Sequence, residues 1–542
     1  MRSMHGWSVA AGLAFSVVCH GAVWPKFAGT SGNSAAVNAT APQHLSDAVV
    51  VASPHVGVQR KAGVVVNYGH VFAYAPGATG MIHCLDAVTL TAVWSAAVMI
   101  DDSLAGDWGS WATLSVANSS VVYAAYGFLG CWNLDGSLRW QTTMARETVN
   151  SSPVISGSRV IVGCFSYMNV DGGVAGYDLY TGSQLWYTVA IPNNTFSSCT
   201  PAVDEAAGVG YAACSNQVWR FNLATGYIEW QESVPGAWLQ LNNVSLAGDT
   251  LLAVNYDFAF AETNLFAFDT VAGTLKWAAV CGMSDMPPAV HGATVIHGCG
   301  DNLVAPAVTA FDLETGAQLW QRAGVGNIFA MPAVAAGVVY TAVGVYDGWT
   351  LAFMSNLTAL SVGDGSVISA TGDARGGQSP AIGDDVVYTA NDGVVYAYRW
   401  NALPLLLKKF TAQIRPAQGG KDQFKLAGNV ENPPANVGEP VYIRVGEYVL
   451  QGDTLGTGVN ATRDYTVVMA TKLNKKKGLM IQALGKYGSL AGMLPYLPHD
   501  GTTQVALPLV MLTDQGQYIR AEMDLVLTTK KGKVKAKPAK VK

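Results

Sequence analysis

Side chains able to do chemistry are thinly spread along this 542-residue chain. Eight of its nine histidines fall before residue 400, and the closest candidates for a shared site, His291 and His297, are six residues apart. Two imidazoles could hold a metal only with further donors, so solvated strand or turn histidines are the plainer reading and no metal is expected. Asp101, Asp102 and Asp107 form the densest acidic group. A Ca²⁺ loop would need regularly spaced oxygen ligands, which this group lacks, so it reads as an exposed acidic loop. The G-x-S-x-G, H-E-x-x-H and P-loop signatures do not occur, which leaves no motif-based case for a hydrolase or a nucleotide enzyme.

Seven cysteines follow Cys19, and none forms C-x-x-C, so neither a zinc ribbon nor a c-type haem is indicated. Cys199/Cys214 and Cys281/Cys299 are each spaced like the two ends of a β-hairpin, where a disulfide could close. The alternative is a thiol acting as a small buried hydrophobe. An odd total leaves at least one thiol unpaired.

The elements that must carry these residues begin with a leader. Residues 1–7 hold one basic residue, Arg2, and residues 8–18 are an unbroken apolar or small run, followed by Cys19, Gly21 and Ala22. This is the layout of a signal peptide over 1–22, cleaved near residues 19–22, and it predicts a secreted or periplasmic protein. A lipid-bearing Cys19 is the alternative, although Ser16 stands where a Leu is usual. No later run of 18 apolar residues suggests a transmembrane helix. Charge divides the remainder. Residues 1–400 carry 12 Lys and Arg against 27 Asp and Glu, and residues 401–542 carry 20 against 10. Basic charge confined to one end argues against a specific nucleic-acid binder.

One phrase recurs between residues 53 and 400. Its cleanest copy is Ala310-Phe311-Asp312-Leu313-Glu314-Thr315-Gly316-Ala317-Gln318-Leu319-Trp320. Asp178, Gly182 and Trp186 repeat it, as do Asp269, Gly273 and Trp277, with Asn222, Gly226 and Trp230 as a variant. The terminal positions 94, 140, 186, 230, 277, 320 and 368 are 46, 46, 44, 47, 43 and 48 residues apart. Each copy opens on a second signature, as in Thr200-Pro201-Ala202-Val203 and Ser379-Pro380-Ala381-Ile382, and Ser53-Pro54-His55-Val56 would open the first. Counting the proline-less starts near Ser115 and Ser245 gives eight. A period near 45 residues, filled by short apolar runs and glycine punctuation, is that of a β-propeller blade. The Asp caps a tight turn, the Gly takes positive φ, and the Trp returns along the next strand to wedge against the neighbouring blade. These residues are structural rather than catalytic.

The A-x-D-x-x-x-G-x-x-x-W phrase resembles the tryptophan-docking motif of the pyrroloquinoline quinone (PQQ) dehydrogenase-like eight-bladed propellers. Trp24-Pro25-Lys26-Phe27-Ala28-Gly29, on to Asn33, is similar to the W-P-x-F-x-G opening of secreted bacterial members. The resemblance covers roughly residues 24–400 and implies the fold more firmly than an activity, since the family includes quinone enzymes and catalytically silent scaffolds. Among the scaffolds is a propeller lipoprotein of the outer-membrane β-barrel assembly machinery. The family's dehydrogenases hold PQQ between a tryptophan and a disulfide of adjacent cysteines, with Ca²⁺ on Glu, Asn and Asp. This chain has no adjacent cysteines, and its copies are near minimal length. The resemblance therefore implies a monomeric, non-catalytic module without cofactor that binds a protein or envelope polymer. A PQQ- and Ca²⁺-dependent alcohol or sugar oxidoreductase is the alternative.

In such a ring, the loops joining one blade to the next line the channel mouth, here roughly 101–111, 144–151, 191–200, 232–243, 282–287 and 322–330. Asp107, Trp108, Trp111 and Trp238 lie on them, either to meet a ligand or to plug the funnel locally. Because the last copy ends early at Trp400, a strand from about 30–52 is expected to complete it and remove the open edge. The organisation expected is thus a leader (1–22), the propeller (23–402), a small immunoglobulin-like β-sandwich (403–529) and an unfolded tail (530–542). The sandwich rests on strand-like runs at 424–430, 441–448, 465–470, 479–484, 505–512 and 519–527. The tail holds seven lysines in thirteen residues, either merely solvated or adhering to anionic polymers.

Overall fold

The computed structural model of the chain is all-β and divides into two compact units, residues 22–401 and residues 402–542 with 1–21. The structure describes 17–18, strand segments between 403 and 538, and residues 24–400 apart from 38, 40, 59–62, 78, 101–111, 149–150, 165–169, 195–198, 235–240, 256–262, 283, 300–305, 327–329, 344–355, 373–378 and 384. No helix among the described residues is long and apolar enough to cross a membrane.

The first of these units is an eight-bladed propeller, one sheet per blade among the described residues. Blade 4 shows the pattern: Ala202–Asp204 innermost, then Val209–Cys214, Gln217–Asn222 and Ile228–Ser233, all antiparallel. Composition explains the order. The second strand, Val-Gly-Tyr-Ala-Ala-Cys, is buried throughout, whereas the outer Ile-Glu-Trp-Gln-Glu-Ser is largely exposed. A strand covered on both faces reads as a continuous apolar run, and one with a wet face alternates. The innermost strands of the eight blades are Val65–Asn67, Ser115–Ala117, Val154–Ser156, Ala202–Asp204, Leu241–Ala247, Ala289–His291, Ala333–Ala335 and Ala381–Gly383.

Each blade is riveted to the next by the repeated phrase. The indole N–H of Trp94 donates to Leu134 O at 2.8 Å, Trp140 to Leu179 O at 2.8 Å, and Trp186 to Leu223 O at 3.2 Å. Trp230, Trp277 and Trp320 do the same to Thr270 O, Leu313 O and Val362 O at 3.1, 2.9 and 2.8 Å. The acceptor is in every case the carbonyl one residue past the motif's Asp, its Asn133 and Asn222 variants, or Ser361. The ring of each Trp lies on the next blade's turn glycine. A Cβ at Gly273 (φ 74°) would sit 2.8 Å from the Trp230 ring, and one at Gly316 (φ 69°) 2.6 Å from Trp277. These glycines serve two needs at once, positive φ and room for an indole. The carboxylate does its expected work: Asp312 Oδ1 accepts from the N–H of Glu314 and Thr315 and from the Thr315 hydroxyl, which hold its pKa below the usual carboxylate value. Asp178 and Asp269 make the corresponding turns.

The ring closes with a strand from the N-terminal side, but only Val49–Ala52 of the 30–52 span performs this, pairing with Val394–Arg399 as the outer strand of blade 8. That strand carries no Trp. At this seam Arg399 donates to Ala87 O and Val88 O and Tyr388 to Ala87 O, reaching the turn of blade 1 from the middle strands. Ser53-Pro54-His55-Val56 does not open blade 1. Its Ser53 N–H donates to Val395 O, and the Ser53 hydroxyl accepts from Val395 N–H, so the segment stays with blade 8, and blade 1 opens at Val65.

The C-terminal unit pairs differently from the sandwich expected of it. Among the described residues its strands join into a single hydrogen-bonded sheet, built on long hairpins such as Tyr465–Asn474 with Gly478–Gly488 and Gly501–Thr513 with Tyr518–Lys530. The Lys-rich end is likewise not strand-free: Lys533–Pro538 pairs with the Tyr518–Lys530 strand and with Leu403–Ile414. Lys533-Val534-Lys535-Ala536-Lys537 alternates with period two, which is strand patterning even where the charge is high.

Candidate functional site at the propeller axis

The inner strands leave a row of backbone N–H groups facing the channel, and these need acceptors. The chain supplies them from its own residues 24–37. Trp24 exchanges both backbone bonds with Val66 of blade 1 at 2.8 Å, and Val116 of blade 2 donates to Pro25 O at 2.7 Å. Val203, Leu246, Val290 and Val334, in blades 4 to 7, donate to Ser31 O, Gly32 O, Ser34 O and Ala35 O at 2.8, 2.7, 2.7 and 2.9 Å. Ala36–Val37 then adds a parallel strand to Ala333–Ala335. Five of the six donors are the central residues of three-residue inner strands, and Leu246 is the second-to-last of the longer blade 5 strand, so the segment follows the inside of the ring from blade to blade.

Its own shape is set by Gly29 and Asn33. Gly29 has φ 69°, and a Cβ there would lie 2.7 Å from the Trp24 ring; Asn33 takes φ 57°. Asn33 Nδ2 donates to Thr200 O of blade 4 and Val244 O of blade 5, both at 3.0 Å, while its Oδ1 accepts from the Lys26 ammonium or amine. Lys26 also donates to Phe27 O at 3.1 Å and is fully enclosed. Both its acceptors are neutral, and burial pulls its pKa from 10.5 down to about 7. Trp24, Phe27, Ala28 and Ala35 are buried with it.

Beside this segment lies a belt of side-chain hydrogen bonds at the start of the inner strands. Gly63 N–H donates to Thr113 Oγ1, Thr113 N–H to Ser152 Oγ, Ser152 N–H to Thr200 Oγ1, and Thr200 N–H to Asn243 Oδ1, at 3.3, 2.8, 2.9 and 2.9 Å. Asn243 Nδ2 passes on to Asp285 O at 2.7 Å, and Met331 N–H donates to Ser379 Oγ at 2.9 Å. Where a Ser or Thr stands ahead of the proline signature, at Ser152, Thr200 and Ser379, its hydroxyl is the blade-to-blade acceptor, whereas Pro287 and Met331 take that place in blades 6 and 7. Proline holds the preceding residue extended, which aims its hydroxyl along the ring.

Of the sites read from sequence, Asp107, Trp108, Trp111 and Trp238 lie outside the described residues, as do Asp101 and Asp102. The structure does not bring His291 and His297 into a cluster: no group of three His, Cys, Asp or Glu able to hold a metal occurs among the described residues. His297 is buried, sits 2.8 Å from Gly282 O through Nε2, and has its pKa lowered to about 4 by burial. None of the seven described cysteines is cross-linked. Cys199 Sγ instead accepts from Ala213 N–H at 3.3 Å, and burial pushes its pKa up to about 12, the behaviour of a buried small hydrophobe. Cys214 and Cys299 are buried at the ends of their strands, with Cys281 half-buried just past the outer strand of blade 5.

Eight sheets in a ring, riveted by indole on glycine, define the class: residues 22–401 form an eight-bladed propeller similar to those of PQQ-like repeat proteins. Within that class, residues 78–322 match the family model described as outer membrane protein assembly factor BamB. Outer membrane protein assembly factor BamB of Burkholderia pseudomallei (strain K96243) is 27% identical over 340 residues, covering 60% of this chain and 81% of that protein. Among solved structures, BamB from Moraxella catarrhalis is 20% identical, covering 65% of this chain and 100% of its own, with a TM-score of 0.47. Quinohemoprotein alcohol dehydrogenase from Comamonas testosteroni is 12% identical, covering 70% and 80%, with a TM-score of 0.55, a likeness of fold alone.

Proposed function

We propose that the chain is a non-catalytic scaffold acting outside the cytoplasm, where it engages a protein partner during outer-membrane protein assembly. The observation that carries this reading is the filled axis. Six of the inner-strand N–H groups that would face an axial ligand bond to the chain's own backbone. The residues also do not fit the quinone site of the family's dehydrogenases. Adjacent cysteines are absent from the sequence, and the described residues hold no triad of metal-ligating side chains. The assembly factor from Burkholderia pseudomallei supports the biological setting, the identity extending over four-fifths of its length.

A partner-binding surface is available on the outer turns. Tyr180 and Val271, exposed by 54 and 74%, stand two residues past the motif's Asp on the reverse turns of blades 3 and 5, where blade 6 carries Glu314, and Tyr227, exposed by 72%, follows the turn glycine of blade 4. Large apolar side chains held in water on three successive blades are the kind of surface that a protein partner covers. The test replaces Tyr227 with a photo-crosslinking residue in cells of the source organism and compares those cells with a deletion strain. Cross-links to outer-membrane assembly components, with a fall in outer-membrane protein content on deletion, are expected. Unchanged outer-membrane protein content, or turnover of alcohols or sugars by the pure protein given PQQ and Ca²⁺, would overturn the reading.

A further inference from the structure

The contacts of residues 24–37 have the form of a bound ligand. They touch the inner strands of blades 1, 2, 4, 5, 6 and 7 in chain order, through carbonyls of the segment and N–H groups of the ring. A covalent continuation of the fold would be expected to pair with its sequence neighbours. This segment instead pairs with residues 42 to 299 positions away: Val66 from Trp24 and Val334 from Ala35 are the extremes. Its side chains add two recognition elements. Asn33 spans two blades through Thr200 O and Val244 O, and Ser245 Oγ returns a bond to Asn33 O at 2.9 Å. Lys26 also clasps the segment into a loop through bonds to its own Phe27 O and Asn33 Oδ1.

We infer that the inner face of the propeller is a peptide-binding site of defined specificity, whose resident occupant is this chain's own residues 24–37. The site reads backbone carbonyls along an extended-and-turned path, requires an Asn at the bridging position, and accepts a glycine where Trp24 folds back. The occupant is separable from the ring it fills. Its link to the rest of the chain crosses an exposed stretch at Ser46-Asp47, ahead of the Val49–Ala52 strand that closes blade 8. Donation of a strand in cis removes unpaired donors from the channel and shuts it to other peptides.

The experiment places a protease-cleavage sequence between Ser46 and Asp47 of the full chain and cuts it after folding. The fragment carrying residues 24–46 is expected to co-elute with the remainder, then to exchange for a fluorescent synthetic peptide of residues 22–46 under mildly denaturing conditions. A scrambled peptide should not enter, and Asn33→Ala in the cut chain should speed release at least tenfold. Immediate loss of the fragment with an unchanged melting temperature would overturn the inference. So would a fragment that leaves only with global unfolding and cannot be replaced. Should the insertion prevent folding, hydrogen exchange on the uncut chain decides the matter. With Asn33→Ala, the amides of Val203, Leu246 and Val290 should lose protection at least tenfold while Ala212 and Ala253, on the second strands, keep theirs. Equal loss at all five, or none, would sink the proposal.

Discussion

The propeller is held at two radii by unlike means. The outer ring repeats one device, an indole over a turn glycine, six times. The inner ring is held by a single segment that never repeats and bonds mostly through its backbone. Damage at the outer ring is local, because each rivet joins two blades. Damage at the inner ring reaches six blades through one short peptide. The largest effect expected from a single substitution is nevertheless at the outer ring, where one large indole makes the contact. Trp277→Ala removes a nearly buried indole from Gly316 and its bond to Leu313 O, and should cost about 3–5 kcal/mol. Thermal or denaturant unfolding measures it. A loss below about 1 kcal/mol would show that the ring does not depend on its rivets.

Gly29→Ala probes the inner ring with one methyl group. It forces a non-glycine residue to φ 69° and drives a Cβ into the Trp24 ring. Left-handed backbone strain costs about 1–2 kcal/mol and overpacking about 1–3 kcal/mol, so a total of about 2–5 kcal/mol is expected. What separates the rings is the pattern of damage. Hydrogen exchange should quicken at inner-strand amides in several blades after Gly29→Ala, but only around blades 5 and 6 after Trp277→Ala.

This contrast also explains what could be read from residues alone. The outer ring announces itself because near-identical chemistry recurs every 43 to 47 residues: Asp or Asn for most of the turns, Gly for the indole, Trp for the rivet. The inner ring has no such signature. Its bonds run between main-chain atoms that every residue type carries, and the few side chains that matter, Gly29, Asn33 and Lys26, occur once. The belt lay in plain view as the Ser or Thr before Pro-Ala-Val, but a residue ahead of a strand reads first as its start. Ser53-Pro54 carries that same dipeptide, and only its pairing with Val395 assigns it to blade 8. In the C-terminal unit, strand positions followed from apolar runs, whereas the order of strands in the sheet depends on long-range pairing that local pattern does not encode.

Lys26 offers a pH handle on the inner ring. Unfolded, its amine has a pKa near 10.5; folded, burial lowers that to about 7. Between those values unfolding takes up a proton, so stability rises with pH across the window and falls back as pH drops toward 7. The slope for one proton is about 1.4 kcal/mol per pH unit, or roughly 2 kcal/mol between pH 8 and 9.5. Buried thiols such as Cys199, whose pKa is raised, oppose this trend equally in the natural chain and in Lys26→Met, so the stability difference between the two, read from denaturant midpoints, should shift toward the natural chain by that amount over the range. A difference that stays constant with pH would place the titrating group elsewhere.

The smallest effect sharpens the outer ring. Blade 4 carries Asn222 where the other strong copies carry Asp, and its Oδ1 accepts from the N–H of Ala224 and Thr225 and from the Thr225 hydroxyl. Asn222→Ala leaves those donors to solvent and should cost about 1 kcal/mol, the net worth of a turn bond or two. Asn222→Asp keeps the geometry and makes the acceptor charged, which strengthens bonds of this kind. The substituted carboxyl should have a folded pKa below its unfolded value, as Asp312 does on the strength of its Thr315 bonds. The sign follows: the gain is present above the unfolded pKa and disappears as pH falls through the folded one. Asn222→Asp should therefore match or slightly exceed the natural chain at pH 7 and lose that margin below pH 4, while Asn222→Ala sits lower at both. If the aspartate variant is the weaker one at pH 7, the turn depends on the neutral amide, and blade 4 is not interchangeable with its neighbours.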